Sequence, residues 1–591
     1  MYLFKYTKGL QKAFILLVFI SFTLKIRHID WGLPYIYNHD ELNHIEAALQ
    51  VGSGKFEPGQ LMHGTLITYV LFVEYGILYV LGKIAGTYLS INDFLLSYLT
   101  NPTIFFIIGR VTIALLSIGS IIFTYLIGKK LFNERAGLIS ALFIAFSPAH
   151  FINSTHIKDD MPATFFCTLF FYFISLYFLD NNSSNLKKNK FYYASGFALG
   201  LAIAAKLTAI PGIITFCLAF ILKETTESKE YIKYLISLVD VRFLKGIFFV
   251  FTGFFLADPY AVINYKKFIR GILFMKNDFI DNVTTVKCTQ FFYFTNNLPD
   301  MMGIPLTIFF CISVIYFIFR PSKKVILLMS FPITFYLVFN SSLGFAHHIL
   351  TALPLIVILI GVFLDKIYSI INRWNTILSV TILSSMLILL IAPEALNTIR
   401  YMRVLRSEDT RMLAKKWIEN NIPSNKSIFI EGAVKNLIIF APQLKGNLDT
   451  LRDDFNYVVS HGGNGRLEKL LIDNFNNNGK TYLLYKASPE IRPEQIDTFN
   501  QDYIITSGAL DLDYGELEYY KDEGYYIRRE IFYRKINEKY ELIKYFKPFP
   551  NFGIFFPFTS KDYNELRKIK LFGLQKKIIP GPEIRIFKRK I

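Results

Sequence analysis

The chain has 591 residues, 52% hydrophobic and 17% aromatic, with a formal net charge of +18 and a mean hydropathy of +0.35. Apolarity sustained over that length excludes a soluble globular enzyme and points to repeated membrane spans. The basic excess does not indicate nucleic acid, because the lysines and arginines cluster in short loops between apolar runs, where they set membrane orientation.

In chain order, Lys5, Lys8 and Lys12 precede the apolar Ala13–Leu24 with no small-residue cleavage site behind it. This reads as an uncleaved first span. Asn38-His39-Asp40-Glu41 follows, opening a helix-like Leu42–Val51. Further spans are expected at about 105–127, 136–153, 162–179, 191–205, 207–223, 243–257, 304–319, 325–340, 349–364 and 375–392. Lys129, Lys130, Arg135, Lys187 to Lys190, Arg320 to Lys324 and Asp365 to Arg373 belong on the cytoplasmic side. With a cytoplasmic N-terminus those loops alternate correctly only if the apolar 66–86, which carries Glu74, lies along or partly into the outer face, leaving about eleven spans. Residues 30–104 and 258–303 are then large outer loops. Cys167, Cys217, Cys288 and Cys311 are scattered, with neither a disulfide framework nor a zinc motif.

Beyond Pro393 the composition turns mixed, and roughly 200 residues remain, enough for one soluble domain. The expected division is 1–393, a transmembrane catalytic domain, and 394–591, a soluble extracytoplasmic α/β domain. Thr410–Asn421 reads as an amphipathic helix. Ser427–Glu431, Tyr457–Ser460, Thr481–Tyr485 and Asp502–Thr506 read as short buried strands of a mixed or parallel sheet. The fold class is an α-helical polytopic membrane protein with a C-terminal α/β domain.

That topology gathers the unusual polar residues on the outer face. Asp40 and Glu41 suit general-base chemistry on an incoming hydroxyl, although acids also suit a helix N-terminus. Lys158-Asp159-Asp160 stands before Met161-Pro162, where a cap is the alternative, and paired carboxylates divide base and positioning roles. Lys206 sits between two apolar runs at the outer face, against the positive-inside bias, and suits an anionic lipid phosphate. Asp258-Pro259-Tyr260 opens the long outer loop, and Lys266, Lys267 and Arg270 follow at helical spacing, as in a headgroup-bound amphipathic helix. His347-His348 suit phosphate donation, metal ligation or an ordinary interfacial place. His39, His44 and His63 leave a divalent metal open, but no strong metal signature accompanies them.

In their order these motifs resemble the GT-C membrane glycosyltransferases of family 39, the protein O-mannosyltransferases and lipid A aminoarabinose transferases. The resemblance covers about residues 27–430. It rests on Asp40-Glu41 after the first span, Gly109-Arg110, Gly128-Lys129-Lys130-Leu131-Phe132, Ser147-Pro148 and Asp160-Met161-Pro162. Lys206-Leu207-Thr208, Asp258-Pro259-Tyr260 and Asp409-Thr410-Arg411 with Ala414, Trp417-Ile418 and Ile422-Pro423 complete it. The chain departs from the family in having Met62-His63-Gly64 where lysine stands beside paired prolines, and His347-His348 where an arginine-tyrosine pair precedes a proline-containing span.

The resemblance implies an integral-membrane, inverting transferase that moves a sugar from a polyprenyl-phosphate carrier to an extracytoplasmic glycan, lipid or protein. Asp40 is the expected general base, Glu41 its orienting partner, and Asp160 a positioning carboxylate. Lys158, Asp159, Lys206, His63, Tyr260, His347 and His348 are the expected substrate contacts. The lipid phosphate is already a good leaving group, so no metal or other cofactor is required. The richness in lysine, isoleucine, asparagine and phenylalanine points to a bacterial source, hence a bacterial inner or plasma membrane. The competing readings are a polytopic transporter or lipid flippase, and a metal-dependent GT-C oligosaccharide transferase.

Overall fold

In the computed structural model of the chain, residues 2–54, 56–59, 61, 64–180, 189–224, 240–274, 293–339, 346–434, 437–460, 465–476, 478–487, 498–508, 523–548 and 579–590 are described. The N-terminal part is helical throughout. It comprises α1 (Tyr2–Ile26), α2 (His39–Gly52), α3 (Leu66–Ile84), α4 (Ile91–Thr100), α5 (Thr103–Leu131), α6 (Glu134–Ala145), α7 (Pro148–Asn153), α8 (Asp160–Leu179) and α9 (Lys190–Ala205). There follow α10 (Gly212–Glu224), α11 (Val241–Ala257), α12 (Pro259–Ile263), α13 (Tyr265–Phe274), α14 (Leu298–Met302), α15 (Ile304–Phe319), α16 (Lys323–Phe339), α17 (Leu353–Ile371) and α18 (Thr376–Leu405).

Among the described residues, six helices are long and apolar enough to cross a membrane, or seven if the bent pair through α14 and α15 counts as one span. Eleven spans were expected from charge. The difference has a physical source in helix length. The expected span 136–153 is broken between α6 and α7, where Ser147 caps a new helix and Pro148 stands at its first turn. α9, α11, α15 and α16 have 16 or 17 residues, which at 1.5 Å each reach about 25 Å, short of a hydrocarbon core of about 30 Å. α3, which charge assigned to the outer face, is a continuous 19-residue apolar helix.

One apolar core runs through the bundle, from Leu17 and Trp31 to Tyr401 and Leu405. Asn133 caps α6 and donates to Asp365 at 2.6 Å, while the Arg135 guanidinium lies 3.6 Å from the Tyr368 ring centroid. α18 continues through Pro393 to Leu405, so the change of composition at Pro393 falls inside a helix.

The C-terminal part holds α19 (Thr410–Asn421), α20 (Leu448–Ser460), α21 (Arg466–Asp473) and α22 (Glu523–Lys539) around a five-stranded sheet. Its strands are β1 (Ser427–Glu431), β2 (Leu483–Ala487), β3 (Tyr503–Ser507), β4 (Tyr540–Phe546) and β5 (Ile584–Arg589), in the order β2-β1-β3-β5-β4. β1 pairs in parallel with β2 and β3, and β5 pairs antiparallel with β3 and β4, so the sheet is mixed. Tyr457–Ser460, read above as a strand, is the last turn of α20. Leu448, Leu451, Phe455 and Val459 recur at helical spacing, and a four-residue window is too short to separate that period from alternation.

Candidate active site

The segment between α1 and α2 carries Asp40 into place through a cap that is not itself acidic. The Asn38 side chain accepts from the Asp40 backbone N–H at 2.9 Å and starts α2. Asp40 therefore has its carboxylate left for other work. That carboxylate is 37% exposed, with Lys158 Nζ 3.2 Å from its Oδ2. Burial pushes the Asp40 carboxyl up, but the Lys158 ammonium, with His44 and His39, holds it below the usual carboxylate value.

Glu41 points elsewhere. It is buried, and its two oxygens accept from Arg110 Nε and Nη2, each at 2.8 Å. Its Oε1 also accepts from the Ile157 backbone N–H at 3.1 Å. Arg110 spends Nη1 on the carbonyls of Ile29 and Trp31. Glu41 and Arg110 thus form a buried bidentate staple joining α2, α5, the approach to α2 and the 154–159 loop. Sequence reading noted Gly109-Arg110 but assigned the arginine no partner. An arginine inside an apolar run requires a carboxylate, and Glu41 was the signal.

The second acidic pair is divided in the same way. Asp159 stands at the N-cap of α8 without making a side-chain cap hydrogen bond, and its Oδ1 lies 3.3 Å from His44 Nε2. Burial lowers the His44 pKa to about 4, so the imidazole is neutral at physiological pH. Asp160, buried at the first position of α8, accepts from Lys206 Nζ at 2.6 Å through Oδ1. Lys206 ends α9 in extended conformation ahead of a single 3₁₀ turn, Leu207–Ala209. The loop at Gly64 lies against that end: a Cβ there would fall 1.7 Å from the Ala205 carbonyl oxygen, so only glycine fits.

Lys158 is buried at the centre. Although desolvation opposes it, Asp40, Asp160 and Asp159 together raise its pKa, and it carries a full charge. His347 and His348 sit on the 3₁₀ turn Ala346–Thr351, their ring centroids 4.7 Å apart. Burial, then the charges of Lys158, His348 and Lys206, hold His347 in its neutral form. The turn packs against α8, the Leu207–Ala209 turn and α14. Asp40, Lys158, Asp159, Asp160 and Lys206 therefore make one cluster of lysines and carboxylates, bordered by the neutral imidazoles of His44 and His347.

Asp258 borders it, capping α12 by accepting from the Ala261 N–H at 3.3 Å. Burial, with the nearby charge of Asp159, raises its carboxyl to about 6 against the opposing hydrogen bonds from Thr65 and Ala261. Tyr260, one residue into α12, stands with Asp258, Glu57 and Tyr69 on this flank. His63 lies outside the described residues. Among the described residues no three or more His, Cys, Asp or Glu side chains gather as a metal-binding group.

An apolar cavity of about 320 Å³ lies between α15, α16 and α17. Leu298, Ile349 and Ala352 are among its lining residues, so it adjoins the turn that bears His347 and His348.

Residues 103–244, about a quarter of the chain, match the family described as dolichyl-phosphate-mannose-protein mannosyltransferase. No curated protein sequence matches. Among solved structures, the chain is similar to the oligosaccharyltransferase AglB from Archaeoglobus fulgidus in complex with an inhibitory peptide and a dolichol-phosphate. That likeness has a TM-score of 0.50 at 12% identity, over 100% of this chain and 89% of that one. ArnT from Cupriavidus metallidurans bound to undecaprenyl phosphate gives 0.45 at 11% identity over 87% and 95% of the two chains. The S. cerevisiae Pmt1-Pmt2 complex bound to the sugar donor gives 0.32 at 19% identity over 44% and 34%. At such identities the AglB likeness speaks for the fold alone.

Proposed function

We infer that this membrane glycosyltransferase of the GT-C type moves a sugar from a polyprenyl-phosphate carrier to an extracytoplasmic acceptor: a glycan, a lipid or a protein. The observation that carries the reading is the junction of two chemistries. A cationic and carboxylate cluster (Lys158, Lys206, Asp40, Asp160) meets an apolar cavity at the turn of His347 and His348. An amphiphile with a long apolar tail and an anionic head fits that junction. Neither a free nucleotide sugar nor a hydrophilic solute needs the apolar half.

The reaction is a direct displacement. The acceptor hydroxyl attacks the anomeric carbon, and the bond from that carbon to the phosphate oxygen breaks. The proton of the hydroxyl passes to Asp40, and polyprenyl phosphate leaves. Back-side attack inverts the anomeric centre. Asp40 is held ionised by Lys158, so the base form is present at physiological pH. Lys206 has three N–H donors, and among the described residues Asp160 takes the one hydrogen bond it makes. The others are left for the departing phosphate, the electrostatic contribution that commonly dominates. Lys158 adds charge to the same place, and His347 and His348 border it. Asp159 and Asp160 hold His44 and Lys206 in position. Glu41 acts through Arg110 as a structural tie and not as a second base.

Lys158 and Lys206 pair with Asp40 and Asp160 and the lipid phosphate is itself a good leaving group, so transfer is expected without a metal. The part of the chain that follows α18 and the loop that bears Asp40 are placed on the extracytoplasmic side with the site, and the N-terminus on the cytoplasmic side. The test uses purified protein and polyprenyl phosphates bearing hexoses or pentoses, with release of polyprenyl phosphate as the readout, in the presence and absence of EDTA. Release that survives the chelator supports the reading. Release from no donor in the panel would leave the transporter alternative, and release abolished by EDTA and restored by a divalent cation would favour the metal-dependent one.

A further inference from the structure

The bent span is the least expected feature of the bundle. Residues Thr295–Met302 and Ile304–Phe319 meet at an angle of 114°. The break is at Gly303, where φ is +83° and a Cβ would fall 2.1 Å from Glu394 Oε1, so only glycine fits beside that buried carboxylate. Just before it, Tyr293–Asn297 forms one turn of π-helix. Interrupted helices and π-turns at membrane depth occur where the backbone lines a binding cavity, because lipid cannot satisfy the freed polar groups.

The side chains at this break have hydrogen-bonding capacity left over. Asn297 is 1% exposed, and among the described residues neither its Oδ1 nor its Nδ2 has a hydrogen-bond partner. Among the same residues Thr351, 2% exposed, leaves Oγ1 without one, and Thr208, in the turn after Lys206, does the same. A buried polar group left this way costs about 1–3 kcal/mol, so three of them in one region call for a ligand or ordered water. The Ala346–Thr351 turn packs against both the Tyr293–Met302 segment and the Leu207–Ala209 turn, so the element that bears Thr351 joins the two that bear Asn297 and Thr208. Leu298, next to Asn297, and Ala352, next to Thr351, line the apolar cavity. The polar trio therefore lies where the cavity gives way to the cationic cluster.

Its chemistry differs from that of the cluster. An amide with two donors and an acceptor, and two hydroxyls that do both, match groups that donate and accept alternately. A phosphate, which only accepts, would waste the Asn297 carbonyl and is better served by Lys206 and Lys158. We propose that Asn297, Thr351 and Thr208 form a subsite for the sugar of the lipid-linked donor, hydrogen-bonding its hydroxyls while the lysines hold the phosphate. This rests on the transfer reading given above and adds where the sugar is recognised.

The test compares wild type, Asn297→Leu and Thr351→Val in three measurements. These are kcat/KM with whichever hexosyl or pentosyl polyprenyl phosphate the wild type turns over, binding of bare undecaprenyl phosphate, and melting temperature. The expected result is a loss of about tenfold or more in kcat/KM for each variant, with binding of the bare lipid phosphate unchanged. Melting temperature stays level or rises, since an apolar group of similar size replaces an unsatisfied one. Unchanged kcat/KM, or an equal loss of bare lipid-phosphate binding, would overturn the subsite. If Asn297→Leu does not fold, the near-isosteric Thr351→Val decides on the same criteria. A wild type that binds undecaprenyl phosphate and turns over none of the donors points to failure of the transfer reading itself, a result distinct from an active wild type with indifferent variants.

Discussion

Replacing Glu41 with Gln separates the two neighbouring acids, which sequence alone could not do. In the wild type the Glu41 and Arg110 side chains are 1% and 3% exposed, and two 2.8 Å hydrogen bonds join them. The Arg110 guanidinium remains charged whatever faces it, because arginine does not deprotonate in proteins. Glu41→Gln therefore leaves a buried cation facing a neutral amide, one of whose ends is a donor pointed at donors. Breaking one side of a buried pair costs about 3–5 kcal/mol, and here the Ile157 N–H contact is weakened as well. The expected outcome is a large drop in thermal stability in detergent. Activity per folded molecule should fall far less than in an Asp40 variant. The assay is scanning fluorimetry paired with transfer measured at a temperature where the variant is folded. A Glu41→Gln protein that melts like wild type and yet has lost kcat by a hundredfold would refute the assignment and return Glu41 to the chemistry.

Three further outcomes are expected. Asp258→Asn should stabilise the protein at neutral pH. The folded carboxyl titrates at about 6 against an ordinary 3.8, so the fold favours the protonated form, and stability is lost as pH rises from about 4 through 6. At 1.36 kcal/mol per unit, the gain from Asn approaches about 3 kcal/mol above pH 6 and vanishes below pH 4, which melting curves at the two pH values will show. Lys206→Met should lower kcat by about 10²–10³ and weaken binding of undecaprenyl phosphate, measured by a direct binding assay. Gln443→Ala should lower kcat about threefold to tenfold with KM unchanged, measured by steady-state transfer. Gln443 Oε1 accepts from the Ile36 N–H and its Nε2 donates to the Ile36 carbonyl. With Arg411, 3.7 Å from the Tyr37 ring centroid, it ties the C-terminal part to the strap that leads to Asp40.

The membrane class and three strands of the C-terminal sheet were legible because each depends on residue type and short spacing; the two strands that make the sheet mixed, Tyr540–Phe546 and Ile584–Arg589, were not. Lys206 stood out as a lysine at an outer turn, and the structure places it on Asp160, a pairing that needs no more than the packing of α8 on α9. The roles within each acidic pair were not legible. Asp40 and Glu41 are adjacent in sequence but about 100° apart around α2, and only the position of Arg110, on another helix, decides which one is sequestered. Span count was illegible for a different reason. Apolar runs of 16 or 17 residues mark a buried bundle helix and a membrane span alike, and the breaks at Ser147 and Gly303 depend on long-range packing. Asn297 gave no signal, since an asparagine near a loop is unremarkable until its burial without a partner among the described residues is seen.

The measurement that bears most directly on the central claim is single-turnover sugar transfer by Asp40→Asn, using the donor that wild type accepts. Asp40 is partly exposed and Asn38, not Asp40, caps α2, so the protein should still fold, with a melting temperature lowered only by loss of the Lys158 ion pair. It should slow transfer about 10²- to 10⁴-fold, as expected for removal of a general base, without loss of donor binding. Transfer within threefold of wild type by a normally folded Asp40→Asn protein would contradict the account.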